Sequence, residues 1–178
     1  GDLEPLVQKA KADKIMIDHH ESPDNYATLM YSDVSMSSTC EMVYNIIKDM
    51  DPNGFPPDIS ECLYTGIMTD TGSFRYPATT PATHRAIAHL IETGASGTEI
   101  HQRIYDSASF SRLKLLGLTL SNLKQIPNLP VVYMTLSQKE LNSCDYKKGD
   151  TEGFVNYGLS LEGIIFSCIM IENENEGI

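Results

Sequence analysis

Basic residues are scarce in this sequence: 13 lysines and arginines stand against 24 aspartates and glutamates, which gives a net charge of −11 at pH 7. A protein that binds long nucleic acid without sequence preference needs a basic face that displaces counterions from the phosphates. The charge balance therefore predicts no binding of long duplex nucleic acid. It leaves a small phosphorylated ligand open, because exposed charges are screened beyond ~8 Å at physiological salt and a local metal ion or arginine can dominate.

Long apolar runs and paired cysteine motifs are also missing. The longest apolar run, residues 163–171, is interrupted by a serine and a cysteine and falls short of the ~18 residues that span a bilayer. The first ten residues are mixed and charged, unlike a signal peptide. The four cysteines show neither a CxxC motif nor a zinc-like spacing, which predicts reduced, mostly buried thiols in a cytoplasmic protein without a membrane anchor.

What the sequence does contain is an ordinary globular composition, with 41% hydrophobic and 21% charged residues. Two short strands are predicted first: a buried strand, "KIMI", at residues 14–17, and a second strand, "ATLMYS", at residues 27–32. Helices follow, because polar cap residues recur before apolar residues at helical spacing. The predicted caps are Ser38 with Glu41, Asp58 with Glu61, Thr80 with Pro81, and Ser96 with Glu99.

A leucine-rich helix is predicted next, over about residues 109–125, ended by Pro127 and Pro130. It is too short for a dimer zipper and is better explained as a core helix between domains, although a homodimer stays open. The pattern then changes to a strand at 131–136, a short helix capped by Ser137 and Glu140, and a buried strand at 164–171. The sequence thus predicts an α/β fold with two domains, residues 1–126 and 127–178.

Asp18, His19 and His20 come directly after the first predicted strand. Open α/β sheets bind ligands at the carboxyl ends of their strands, where three successive side chains can approach one crevice. A neutral histidine can ligate a transition metal, a carboxylate can orient it or bind metal itself, and a second histidine can donate to a phosphate oxygen. The alternative interpretation is that these are solvated loop residues.

A second polar segment, "GIMTDTGSFRY" at residues 66–76, contains Gly66, Asp70 and Arg75. The glycine permits close backbone approach, the aspartate lies where a helix ends, and the arginine can clamp a phosphate with its planar fork. The alternative is a helix terminus with a solvated arginine. A crossover-sized segment separates this stretch from Asp18, so both can reach one sheet edge. Together they suit metal-assisted phosphoryl hydrolysis.

These segments resemble the DHH phosphoesterase family, and in particular its nanoRNase and pAp-phosphatase group. The resemblance rests on "IDHH" after a strand, on "YTGIMTDTGSFRY", and on "SSTCEMVYNII" between them. It extends to "YMTLSQKEL" and "TEGFVNYGLSLEGIIFSCIMIE", which are similar to the start of the DHH-associated substrate-binding domain. The resemblance implies part of a parallel-sheet metal domain, followed by the first part of a smaller α/β domain.

The resemblance also implies roles for individual residues. His19 and Asp70 would be ligands of a two-metal Mn²⁺ site, with Asp70 shared between the ions. His20 would contact the scissile phosphate, Asp18 would orient the histidines or line the metal site, and Arg75 would contact phosphate. The implied activity is hydrolysis of short single-stranded oligoribonucleotides and of small nucleotides such as pAp. Pyrophosphate or polyphosphate hydrolysis, and a non-catalytic nucleotide-binding module, remain as alternatives.

Two features of the family pattern are not found. The Asp-x-Asp segment and a further aspartate expected before the DHH motif are missing from the seventeen residues that precede Asp18, and the glycine-rich segment of the second domain is missing as well. The expectation is therefore an internal fragment of a longer protein. Since His19 and Asp70 cannot hold two metal ions alone, the isolated chain is predicted to be inactive.

Overall fold

The computed structural model describes residues 3–173, which form helices and short strands grouped into two compact units, Gly1–Ile104 and Tyr105–Ile178. The predicted domain boundary near residue 127 lies further along the chain. The helix that precedes residue 127 falls in the second unit because its Leu115 is buried with Leu136 and Leu141 of that unit. The architecture is mixed α/β with parallel strand pairs in both units, as the sequence predicts.

The first unit begins with a two-stranded parallel sheet and continues as helices. Its elements are α1 (Glu4–Lys9), β1 (Ile15–Asp18), β2 (Leu29–Ser32), α2 (Thr39–Met50), α3 (Pro57–Asp70), α4 (Pro81–Glu92) and α5 (Gly97–Tyr105). Both predicted strands are present, paired in register from Ile15 with Leu29 to Asp18 with Ser32. Only Met16 of β1 is fully buried, so this sheet is more exposed than the buried strand predicted from the sequence.

The helix caps agree with the sequence pattern in most cases. Thr80 and Thr83 form a reciprocal capping box at α4, and Gly94 follows that helix with a φ of 118°. The predicted Asp58–Glu61 cap is wrong: α3 begins at Pro57 without any side-chain cap, because proline at the first helical position already has a helical φ and lacks the N–H that a cap would satisfy. The Ser38–Glu41 box is half formed, since Ser38 accepts from the Glu41 N–H while the Glu41 carboxylate bonds elsewhere.

The core of the first unit lies among α2, α3 and α4. Ile67, Met68 and Leu90 are completely buried there. Gly66 permits α2 to pack closely on α3: a Cβ built at residue 66 would lie 2.9 Å from the Cβ of Cys40 and closer still to its Sγ. The close approach predicted from Gly66 is therefore confirmed, and it fixes α3 along the turn that precedes Asp70.

The second unit is a three-stranded sheet with helices. Its elements are α6 (Phe110–Ser121), β3 (Lys124–Gln125), β4 (Val131–Leu136), α7 (Gln138–Ser143), α8 (Val155–Leu159) and β5 (Phe166–Ile171). The strand order is β3-β4-β5, with β4 antiparallel to β3 and parallel to β5. Alternate residues of β4 are buried, and its Leu136 joins the core cluster with Leu115, Leu141, Cys144 and Phe154.

Two predictions for this unit and one for the cysteines of both units need correction. The leucine-rich helix ends at Ser121 rather than near residue 125, because Lys124 and Gln125 pair with β4 instead. β5 is half-buried with an exposed Phe166, so it is not the fully buried strand expected from its apolar sequence. Of the four unpaired cysteines in the chain only Cys144 is fully buried.

Across residues 3–173, no helix combines the length and the apolar character that crossing a membrane requires.

Candidate active site

The DHH motif lies at the carboxyl end of β1, as the sequence predicts. Asp18 is the last residue of the strand and pairs with Ser32 of β2. Its carbonyl oxygen accepts a 3.1 Å hydrogen bond from the N–H of Asp33, which extends the pairing past the end of β2. The chain then leaves the sheet, so His19 and His20 follow the last paired residue directly.

His19 is held through both ring nitrogens. Its Nδ1 lies 3.2 Å from the carbonyl oxygen of Met36, and its Nε2 lies 3.0 Å from Oδ2 of Asp70. A carbonyl can only accept, so Nδ1 carries a hydrogen and donates it. In the neutral ring, Nε2 then carries a lone pair that points at the Asp70 carboxylate, and the two groups repel each other. The contact becomes favourable when Nε2 binds a metal ion or a proton. The side chain is 17% exposed, so the pair is open to solvent on one side.

Asp70 reaches this position from a helix rather than from a sheet edge. It is the last residue of α3, and its side chain is 47% exposed. The residues one turn earlier, Ile67 and Met68, are fully buried, so core packing sets where α3 ends. His19 and Asp70 do meet, as predicted, but the route differs: the α2–α3 helix pair brings Asp70 to His19 at the end of a helix, and Asp70 does not follow a strand.

Asp18 and His20 form a second pair beside the first. Nδ1 of His20 lies 2.6 Å from Oδ1 of Asp18, and the His20 N–H donates to the same oxygen at 3.2 Å. These hydrogen bonds lower the pKa of Asp18. The Asp18 hydrogen bond and charge raise the pKa of His20, and the charge of Asp70 adds a smaller effect in the same direction. The rings of His19 and His20 lie 4.7 Å apart, so a histidine with a raised pKa lies next to the His19–Asp70 pair.

The turn after Asp70 has an unusual backbone. Gly72, Ser73 and Phe74 all have positive φ angles, between 57° and 65°, in the left-handed region that costs a non-glycine residue about 1 kcal/mol or more. The buried Thr71 stabilises the turn from inside, since its Oγ1 donates to the carbonyl of Ile67 at 2.7 Å and accepts from the N–H of Phe74 at 3.1 Å. Strain of this kind is concentrated at functional sites.

Arg75 lies in this turn and is exposed. Its Nε donates to the carbonyl of Gly72 at 2.8 Å, which orients the guanidinium group along the turn. No contact between Arg75 and the His19–Asp70 pair is described within residues 3–173. Its predicted role as a phosphate contact therefore stays a prediction.

The donor chemistry of the His19–Asp70 pair fits a divalent transition metal. An imidazole nitrogen and a carboxylate oxygen are ligands that Mn²⁺ accepts, and the carbonyl bonded to Nδ1 is the usual outer partner that fixes a ligand histidine. Residues 3–173 contain no group of three or more histidine, cysteine, aspartate or glutamate side chains that could hold a metal ion. The pair thus fits as part of a metal site and needs further ligands.

One residue of the site region has more contacts than the sequence pattern indicates. Glu41 matches a helix cap in sequence, yet its buried carboxylate accepts hydrogen bonds from Ser37 and from Thr83 of α4. The sequence offers one sign of a role for Glu41, its position three residues after Ser38, and a helix N-cap already explains that spacing. Its contacts depend on the packing of α4, which the local pattern does not show.

Comparison with known proteins agrees with this geometry. Residues 3–67 match the N-terminal domain of the DHH family, a span that includes Asp18, His19 and His20 but not Asp70. A bifunctional oligoribonuclease and PAP phosphatase of Bacillus subtilis is 32% identical over 63% of this chain and 36% of its own length. A Thermus thermophilus protein with the same description is 29% identical over 92% of this chain and 48% of its own length.

A solved structure extends the similarity to both units. The crystal structure of an exopolyphosphatase-related protein from Bacteroides fragilis has a TM-score of 0.94 and 35% identity, covering 98% of this chain and 52% of that one. The chain spans half or less of the length of the curated relatives it matches. With the DHH motif at the carboxyl end of β1, these similarities show that residues 3–67 match the N-terminal domain of the DHH family and that the chain shares its fold with the Bacteroides fragilis protein.

Proposed function

We propose that this chain is part of a Mn²⁺-dependent phosphoesterase that hydrolyses short oligoribonucleotides and small nucleotides such as pAp. The observation that carries the proposal is the 3.0 Å approach of His19 Nε2 to Asp70 Oδ2 at the end of β1. The relatives described as oligoribonucleases and PAP phosphatases supply the substrate class. The four unpaired cysteines suit the reducing cytoplasm.

Each residue of the site has a role in this proposal. His19 and Asp70 would hold Mn²⁺, which supplies neutralisation of phosphate charge and activation of water when bound. His20 is largely exposed, and Asp18 favours its protonated ring. His20 can therefore donate a charge-assisted hydrogen bond to a phosphate oxygen while Asp18 holds Nδ1. Arg75 is proposed as an additional phosphate contact on the adjacent turn.

The isolated 178-residue chain is proposed to lack turnover. Two adjacent metal ions need several carboxylate ligands, whereas the described residues bring together only His19 and Asp70 at 3.0 Å. The missing ligands would come from a longer protein that contains this chain. Measurable Mn²⁺-dependent hydrolysis by the isolated chain would contradict this point.

A second candidate activity keeps the metal site and changes the bond that is cleaved. The Bacteroides fragilis protein is described as exopolyphosphatase-related, which favours hydrolysis of a phosphoanhydride such as pyrophosphate or polyphosphate. The two candidates differ in whether the substrate must contain a nucleoside. An assay that compares the two substrate classes separates them.

The test uses a longer protein that contains this chain, with Mn²⁺ and three substrates run in parallel: a 5′-phosphorylated dinucleotide, pAp and pyrophosphate. We expect cleavage of the first two. His19→Ala should lower the rate by more than about 100-fold, because loss of a direct ligand exceeds the 10–100-fold cost of losing an outer partner. His101→Ala, which removes an exposed histidine of α5, serves as the control. Cleavage of pyrophosphate alone would favour the second candidate, and no cleavage of any substrate would refute both.

A further inference from the structure

The peptide group between Met36 and Ser37 bridges His19 and a buried carboxylate. Its carbonyl oxygen lies 3.2 Å from Nδ1 of His19, and its N–H donates to Oε2 of Glu41 at 3.3 Å. The two groups belong to one planar trans unit, so they point in opposite directions and move together. Glu41 and His19 therefore bind the two ends of the same rigid group.

Glu41 is suited to hold that peptide group. The side chain is 3% exposed, so an ionised carboxylate there depends on hydrogen-bond donors. The hydroxyl of Ser37 also donates to Oε2, and Thr83 Oγ1 donates to the same oxygen at 3.0 Å. Three donors from two segments thus meet at one oxygen, and they connect the turn before α2 to the start of α4.

The direction of the hydrogen bonds on α4 follows from this arrangement. The hydroxyl of Thr83 donates its hydrogen to Glu41, and its oxygen accepts the N–H of Thr80 at 3.1 Å. The N–H of Thr83 in turn donates to Oγ1 of Thr80 at 3.2 Å. The capping box of α4 therefore holds the Thr83 hydroxyl in place as a donor to Glu41, and the carboxylate cannot shift without losing that hydrogen bond.

We propose that Glu41 is a positioning residue for His19: by anchoring the Met36–Ser37 peptide, it keeps the hydrogen of the ring on Nδ1 and leaves Nε2 facing Asp70. A carboxylate that accepts from one end of a peptide group also polarises the carbonyl at the other end, which strengthens the acceptor for Nδ1–H. This inference rests on the proposed role of His19 as a metal ligand, and it adds a buried carboxylate that touches neither the metal nor the substrate.

The test compares Glu41→Ala and Glu41→Gln in the 178-residue chain. Nitrogen-15 NMR of the His19 ring, recorded without metal, reports which nitrogen carries the hydrogen. In the unmodified chain we expect Nδ1 to carry a hydrogen, bonded to the Met36 carbonyl. Glu41→Ala should populate rings that lack the hydrogen at Nδ1, whereas Glu41→Gln, which retains a weaker uncharged acceptor, should show a smaller change. A second measurement follows Mn²⁺ binding by the paramagnetic broadening of His19 signals in a longer protein that contains this chain, where Glu41→Ala should weaken binding about 10–100-fold.

The control is Ser60→Ala. Ser60 is fully buried in the same unit and hydrogen-bonds to Thr93 at 2.8 Å, so its loss should lower the thermal midpoint without altering either His19 signal. Unchanged His19 signals and Mn²⁺ binding in a folded Glu41→Ala chain would overturn the proposal. If that variant does not fold, an unchanged His19 ring in Glu41→Gln overturns it. Neither readout uses hydrolysis, so failure of the proposed activity would leave this result standing.

Discussion

Nδ1 of His20 lies 2.6 Å from Oδ1 of Asp18, two residues back along the chain. The contact leaves the opposite ring nitrogen of His20 on an exposed side chain. Asp18, two residues earlier in the sequence, favours the protonated form of the His20 ring. The pair therefore places at the end of β1 a hydrogen-bond donor whose pKa is raised by Asp18.

We expect Asp18→Asn to lower the pKa of His20 toward the ordinary value of 6.5. The folded chain holds this pKa above that value, so the interaction stabilises the fold fully below pH 6.5 and is lost as the pH rises through the raised pKa. The lowered pKa of Asp18 sets the lower limit of this pH range, because the stabilisation disappears as the pH falls through that pKa and Asp18 becomes protonated. NMR titration of the ring signals without metal measures the shift.

The control for this titration is Asp33→Asn, which removes a carboxylate hydrogen-bonded to Ser35 instead. His20 should titrate in that variant as it does in the unmodified chain. An equal His20 pKa in the Asp18→Asn chain would show that the Asp18 contact does not form in solution.

Gly66→Ala should destabilise the first unit by about 1–3 kcal/mol, the usual cost of overpacking a core. The added Cβ would lie 2.9 Å from the Cβ of Cys40, so α2 and α3 must separate. Urea unfolding followed by far-UV circular dichroism measures the change, which suits a chain without tryptophan. Cys40→Ala in the same chain should restore part of the loss by removing the thiol.

Gly117→Ala is the matched control, because a Cβ at this α6 position meets nothing within 4 Å. Alanine is the better helix former, so this variant should gain up to about 1 kcal/mol. A loss of similar size at both glycines would mean that helix packing at Gly66 is not the cause.

Glu140→Gln should cost up to about 1 kcal/mol at neutral pH, because glutamine keeps the capping-box contact but loses the extra strength of hydrogen bonds to a charged acceptor. Hydrogen bonds from Asn122 and Ser137 lower the pKa of Glu140. Its stabilisation is therefore complete above the ordinary value of 4.5 and is lost as the pH falls through the lowered pKa. The two chains should differ in unfolding free energy at pH 7 and converge in acid. Glu162→Gln, at an exposed position, should show no such pattern.

Ser73→Gly should stabilise the turn after α3, because the φ of 61° at Ser73 is strained for serine and relaxed for glycine. Ser73→Val should destabilise it by about 1–2 kcal/mol, since a β-branched side chain tolerates this region poorly. Thermal unfolding of the three chains gives the order glycine, serine, valine. The reverse order would mean that the turn is not left-handed in solution.

The placement of His19 and His20 could be predicted because it depends on a local pattern, an apolar strand followed at once by polar residues. Asp70 could be predicted as a helix end for the same reason. The contacts of Glu41 could not, since the Ser38–Glu41 spacing is fully explained by a cap, and the donor on Thr83 arrives only when α4 packs. The local sequence pattern predicts which residues lie at the site, whereas tertiary packing determines the hydrogen bonds that position them.

The end of the leucine-rich helix shows the same limit. Lys124 and Gln125 follow a helical pattern of leucines, and lysine and glutamine are good helix formers. Pairing with Tyr133 and Val132 of β4 converts them into a strand. Propensity is a weak preference that sheet pairing overrides, so the sequence alone extends the helix four residues too far.

Helix α3 carries Gly66, which sets its distance from α2, and Asp70, which faces His19, one turn apart. A helix transmits a displacement along its axis almost unchanged, so the reach of the carboxylate is tied to an apolar contact in the interior. Interior substitutions at the contact between α2 and α3 can therefore change the distance between Asp70 and His19 while both residues stay the same.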